Sequence, residues 1–196
     1  MSDLFDTPKS AIPAPRPLAN RLRPQTLAEV IGQSHVLSAQ GPLGSMIGAH
    51  SLSSLILWGP PGVGKTTIAR LLAQQTDLAF VQISAIFTGV PDLRKVFDSA
   101  KIRRQNGQGT LLFVDEIHRF NKAQQDGFLP YIEDGTILLV GATTENPSFE
   151  INAALLSRSQ VFVLKRLDEP ALELLLSRAE TLLGKKLPLT DDARIA

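Results

Sequence analysis

The segment Gly59-Pro60-Pro61-Gly62-Val63-Gly64-Lys65-Thr66 constrains this chain more than any other. It fits the pattern G-x-x-x-x-G-K-[ST] in full and offers few side chains able to do chemistry. Glycines so placed let main-chain N–H groups turn inward around a phosphate, and a helix N-terminus behind them adds partial positive charge. The device works only between an apolar strand and an amphipathic helix. SLILW (54–58) precedes the loop and KTTIARLLAQQ (65–75) follows it, so both flanks are present. The segment predicts a nucleoside-triphosphate site walled by Gly59, Pro60, Pro61, Gly62, Val63, Gly64, Lys65, Thr66 and Thr67. In it Lys65 reaches the β- and γ-phosphates, and the Thr66 hydroxyl ligates Mg²⁺.

Further short apolar runs follow: LAFVQI (78–83), TLLFVDE (110–116), TILLVGATT (136–144) and QVFVL (160–164). Helical patterns separate them, at 91–105 and at 121–135, the latter expected to kink or restart at Pro130. Alternating strands and helices, with strands apolar on both faces, predict an α/β fold: a five-stranded parallel sheet covered by helices on both sides. Residues 18–167 form this nucleotide-binding core. Residues 1–17 carry four prolines and few large apolar groups, and read as a flexible leader. From Asp168, a helix capped by that residue and ended by Gly184 opens a second unit, residues 168–196. Thr190-Asp191-Asp192 reads as yet another helix start, close to Ala196, so the expectation is a piece of a longer protein.

Twenty basic and 19 acidic residues leave a net charge of +1, so any contact with nucleic acid must rest on a local patch. The absence of cysteine excludes disulfides and thiolate metal sites. With no long apolar run and no secretion signal, a cytoplasmic protein away from membranes is expected.

LLFVDE (111–116) ends in two carboxylates fifty residues beyond Lys65. Asp115 at the strand end can hold the Mg²⁺ shell. Glu116 beside it can polarise a water for attack on the γ-phosphate, which favours a hydrolase over a small-molecule kinase. Asn121-Lys122-Ala123-Gln124 is a near miss to the guanine-reading N-K-x-D, with glutamine in the decisive place, so ATP is expected rather than GTP. The serine-glycine-glycine signature of transport ATPases is missing. Asp115-Glu116-Ile117-His118 spells the D-E-x-H of a helicase class, an alternative that needs a second motor domain. His118 reads as a packing or hydrogen-bonding residue rather than a metal ligand.

GATTENPSFEINAALLSR (141–158) supplies the remaining candidates. Thr144, by preference over Thr143, ends the next strand opposite the cradle and can orient the attacking water. A short helix then delivers Arg158, which points away from its own nucleotide. It is placed to act as an arginine finger on a neighbouring subunit's γ-phosphate.

Together RLRPQTLAEVIGQ (21–33), GPPGVGKTT, FVDEIHRFNKAQQDGFLPYIEDG (113–135) and GATTENPSFEINAALLSR resemble an AAA+ ATPase of the clamp-loader clade. More narrowly, they are similar to the replication-associated recombination protein A family, also called the maintenance-of-genome-stability family, with N-K-x-Q-Q-D and T-E-N-P-S-F as its specific strings. The likeness runs from about Leu18 to Leu167. It implies a P-loop NTPase fold with a small helical lid beginning after the core. It also implies a DNA-stimulated ATPase working as a homo-oligomer at replication forks and single-strand/double-strand junctions, near the nucleoid. Single-strand-binding protein and the sliding clamp are candidate partners, and Asp3-Leu4-Phe5 looks like a clamp-docking peptide. Val30, Ile31 and Gly32 would cover the adenine. Arg94, Lys95, Lys101, Arg103 and Arg104 offer phosphate contacts or a solvated helix face in equal measure. A module that binds ATP only to set assembly, without turnover, is the competing class.

Overall fold

The computed structural model describes residues 17–190. The leader up to Arg16, with its Asp3-Leu4-Phe5, and the helix start at Asp191-Asp192 lie outside the described residues.

Strands β1 (Leu55–Trp58), β2 (Ala79–Ser84), β3 (Thr110–Asp115), β4 (Ile137–Thr143) and β5 (Gln160–Val163) build one sheet in the order β2-β3-β4-β1-β5. Every pairing is parallel. Parallel neighbours need crossovers, and helices supply them. Helices α1 (Leu18–Arg21), α2 (Ser34–Leu37) and α3 (Pro42–Gly48) precede the sheet, α4 (Lys65–Gln75), α5 (Val90–Gln105), α6 (Lys122–Asp126), α7 (Leu129–Glu133), α8 (Pro147–Glu150) and α9 (Ala153–Leu156) lie between its strands, and α10 (Glu169–Leu183) follows.

Side chains alternate across a strand, so each apolar run feeds two cores. Leu55, Leu57, Leu111, Phe113, Val140 and Ala142 face one, closed by Ile68, Ala69 and Leu72 of α4. Ile56, Leu112, Val114 and Leu139 face the other, against Leu93, Phe97 and Ala100 of α5. The central strands are thus covered on both sides, as expected. Edge strand β5 is not: Phe162 is 5% exposed, whereas Val161 and Val163 are 42% and 48% exposed. Among the described residues no helix is long and apolar enough to cross a membrane.

The helix expected over 121–135 is two. Pro130 has no N–H to give to α6, so α6 stops at Asp126 and α7 starts with Pro130 in its first turn. Asn121 and Gln124 form a reciprocal capping box: each side chain accepts from the other's backbone N–H, at 2.9 and 3.0 Å. The near miss to a guanine motif is therefore a helix start. Gln125, 1% exposed, donates to the carbonyls of Phe120 and Glu150 and accepts from Asn152 N. Asp126 accepts from Asn152 Nδ2 at 2.7 Å. The N-K-x-Q-Q-D string thus ties α6 to the stretch between Thr144 and Arg158. Helix α10 begins as expected, Asp168 accepting from Ala171 N, and ends at Gly184 with φ +66°.

Candidate functional site

The loop after β1 closes over the C-terminal ends of the strands. Gly59 N donates to Thr143 O, and a Cβ on Gly59 would stand 2.5 Å from the Leu164 carbonyl oxygen, so a side chain is excluded there. Gly62 and Gly64 have φ of +82° and +98°, the left-handed region that glycine enters freely. Val63 turns its side chain into the core and contributes main chain only. Behind the loop α4 begins at Lys65. The first N–H groups of a helix find no carbonyl within it, so those of Lys65, Thr66 and Thr67 are available to an anion.

Pro61, Gly62, Gly64, Lys65, Thr66 and Thr67 line a cleft of about 320 Å³ with Asp115 and Glu116 on its opposite wall. Lys65 is 8% exposed; its Nζ donates to the Gly59 and Pro60 carbonyls at 2.6 and 2.8 Å. Burial lowers its pKa from the ordinary 10.5, and the Glu116 and Asp115 carboxylates pull it back up. A buried cation beside two carboxylates, main-chain N–H groups and a threonine hydroxyl is a donor set that suits a magnesium–triphosphate: donors for phosphate oxygens on one wall, oxygen ligands for a hard cation between.

Thr144 and Thr143 divide their work. Thr144 Oγ1 donates to Glu116 Oε2 at 3.5 Å. Thr143 is fully buried and meets His118 Nδ1 at 2.9 Å, and His118 also lies 3.3 Å from Glu116 Oε2. His118 is therefore a hydrogen-bonding residue, as expected.

Arg158 stands elsewhere. It lies two residues before β5, whose N-terminal end is fixed by Gln160 N on Ser54 O. All strands run the same way, so Arg158 sits at the sheet's opposite end from the cradle and cannot serve its own cleft. It lines a separate hollow with Ser54, Thr110 and Ile137.

Val30, Ile31 and Gly32 do not line the phosphate cleft. Val30 packs against the core, and a Cβ on Gly32 would come 2.5 Å from Leu167 Cδ2. Just before them the chain makes one 3-10 turn, Leu27–Glu29. Two neighbours escaped the sequence reading. Arg23 lines the cleft beside Lys65; its only sequence trace is a basic turn. Gln33, fully buried, donates to Lys165 O at 2.7 Å and accepts from Lys165 N at 3.1 Å, clamping this strap to the chain after β5. Of the basic cluster on α5, Lys95 pairs with Asp92, Arg104 with Asp134, and Lys101 covers the Tyr131 ring. Three of the five cations already have partners.

A parallel sheet in this order, with a glycine-rich loop leading into a helix start and two carboxylates beside it, defines a P-loop nucleoside-triphosphatase fold. The model of the "ATPase family associated with various cellular activities (AAA)" matches residues 55–167, and the chain belongs to that family. It is 54% identical over 164 residues to replication-associated recombination protein A of Escherichia coli K12, covering 84% of this chain and 37% of that protein. It is 44% identical over 181 residues to ATPase WRNIP1 of Dictyostelium discoideum, covering 90% of this chain and 21% of that one. Among solved structures, the RuvB Holliday junction branch migration motor of Thermotoga maritima superposes with TM-score 0.64 at 31% identity, over 83% of this chain and 55% of that one. The chain thus spans well under half the length of these curated relatives.

Proposed function

We propose that this chain is the ATP-hydrolysing module of a protein that acts on DNA in replication-associated recombination and fork maintenance, working as a homo-oligomer in the cytoplasm. The observation that carries the hydrolase reading is the Glu116 carboxylate, held by Thr144 across the cleft from Lys65. Family membership and the similarity to replication-associated recombination protein A support the biological setting. Residues 18–167 form the core, and α10 is the first helix of a lid starting at Asp168.

The residues divide the task as phosphoryl chemistry requires, by positioning and charge neutralisation more than by covalent help. Main-chain N–H groups of the Gly59–Thr67 loop and the Lys65 ammonium hold the triphosphate. Thr66 and Asp115 hold Mg²⁺, which when bound neutralises charge on the phosphate oxygens. Glu116 accepts the proton of the attacking water, and Thr144 fixes where that water stands. Arg158 completes the cleft of an adjacent copy. Val30, Ile31 and Gly32 border the adenine through main chain and apolar contact.

Glu116→Gln tests this. The variant should bind ATP like the unchanged chain and release no phosphate. Unaltered turnover would remove Glu116 from its role, whereas ATP binding with no turnover in the unchanged protein would favour the assembly-only class.

A further inference from the structure

We propose that His118 is a positioning residue for Glu116, donating through Nδ1–H and fixing the carboxylate that faces the cleft. This rests on the reading of Glu116 as proton acceptor.

Glu116 follows β3 with φ +53°, a left-handed conformation that residues with a Cβ seldom adopt. Neighbouring contacts must hold it there. The turn it opens, Ile117–Arg119, brings His118 back against the end of β4. The His118 side chain is 6% exposed, between Thr143 Oγ1 at 2.9 Å and Glu116 Oε2 at 3.3 Å.

The surroundings decide which nitrogen carries the proton. Thr143 Oγ1 accepts from Glu145 N at 3.0 Å, and its own proton reaches Glu145 O at 3.2 Å. With that proton used, the hydroxyl oxygen can only accept from the imidazole, and an ionised carboxylate only accepts. Two acceptors face Nδ1, so Nδ1 is protonated, in the neutral ring and in the imidazolium alike. One N–H is shared between the end of β4 and the end of β3.

The consequence is geometric. His118 and Thr144 both act on Oε2, from different strand ends. That pins Oε2 and leaves Oε1 as the oxygen that would take a water's proton. Moving Thr143 and Thr144 would turn the carboxylate with them, because His118 joins the two strand ends.

The nitrogen-15 spectrum of the imidazole rings in the nucleotide-free chain at neutral pH reads the first claim, and should show His118 protonated at Nδ1. The second claim is read in turnover with Mg²⁺ and ATP. His118→Ala should lower kcat roughly 10- to 100-fold, the effect of one lost hydrogen bond to a charged group, with KM nearly unchanged and turnover read well below the unfolding midpoint. His118→Asn, whose amide N–H falls near Nδ1, should recover most of that loss. His118→Gln, whose amide reaches toward Nε2, should not. A ring protonated only at Nε2 overturns the inference. So does His118→Ala turning over normally while Glu116→Gln is inactive, or His118→Asn remaining as slow as His118→Ala at equal stability. Normal turnover in Glu116→Gln overturns instead the reading on which the inference stands.

Discussion

Arg158 is held by Glu133: Nε and Nη2 both lie 2.6 Å from Glu133 Oε1, while Nη1 donates to Ala154 O and Ser157 Oγ. Within one protomer, then, every nitrogen of this guanidinium is engaged. The pair is exposed, at 39% and 52%, so its cohesion amounts to about 0–1 kcal/mol and a neighbour's phosphate can outbid it. Arg158→Ala should accordingly change the unfolding free energy by less than about 1 kcal/mol and leave ATP binding intact. If Arg158 serves an adjacent copy, Arg158→Ala and Lys65→Ala proteins, each inactive, should regain turnover when mixed, because intact half-sites then meet. Phosphate release assayed across mixing ratios checks this, and a flat zero at every ratio would confine Arg158 to its own protomer.

Gln125 deserves a substitution of its own because one buried amide joins three elements. It donates to Phe120 O and Glu150 O and accepts from Asn152 N, holding α6 against α8 and α9. Gln125→Leu keeps the volume and strands those three main-chain groups without partners. Each unsatisfied group costs about 1–3 kcal/mol, so a loss of about 3 kcal/mol or more in urea unfolding is expected. A loss below about 1 kcal/mol would mean that the three groups find other partners.

The sheet was legible in the sequence because its central strands are buried on both faces and all five read as short apolar runs, each placed within about a residue of where β1 to β5 lie. The phosphate loop was legible because its chemistry is main-chain and demands glycine at fixed spacing. The proximity of Thr144 to Glu116 followed from both standing at the ends of parallel strands. Long-range polar contacts were not legible. Nothing local marks Gln33 as the partner of Lys165, 132 residues away, or Glu133 as the holder of Arg158. A lone polar residue in an irregular stretch reads as solvated until the fold shows what lies across from it. The restart at Pro130 within 121–135 was legible too: α6 ends at Asp126, and α7 carries Pro130 in its first turn, where a missing N–H costs nothing.

Asp134 makes acid stability a local probe of the same region. Hydrogen bonding from the Thr136 side chain lowers its pKa below the ordinary 3.8; burial opposes this, and the Thr136 N–H, with Thr136 N 2.7 Å from Oδ1, lowers it further with help from Arg104 and Lys101. The folded state therefore holds the proton less tightly than the unfolded state does. Between the two values the unfolded chain binds more protons, so stability rises with pH there. The contribution is fully present above 3.8 and disappears as pH falls through the lowered value. Half the side chain is exposed, so solvent screening keeps the effect small. Asp134→Asn should be less stable than the unchanged chain near pH 7, and the gap should narrow as pH falls below the ordinary 3.8. Urea unfolding of both proteins across that range checks it. A gap that stays constant would show that the Thr136 contacts do not discriminate between the carboxylate and its protonated form.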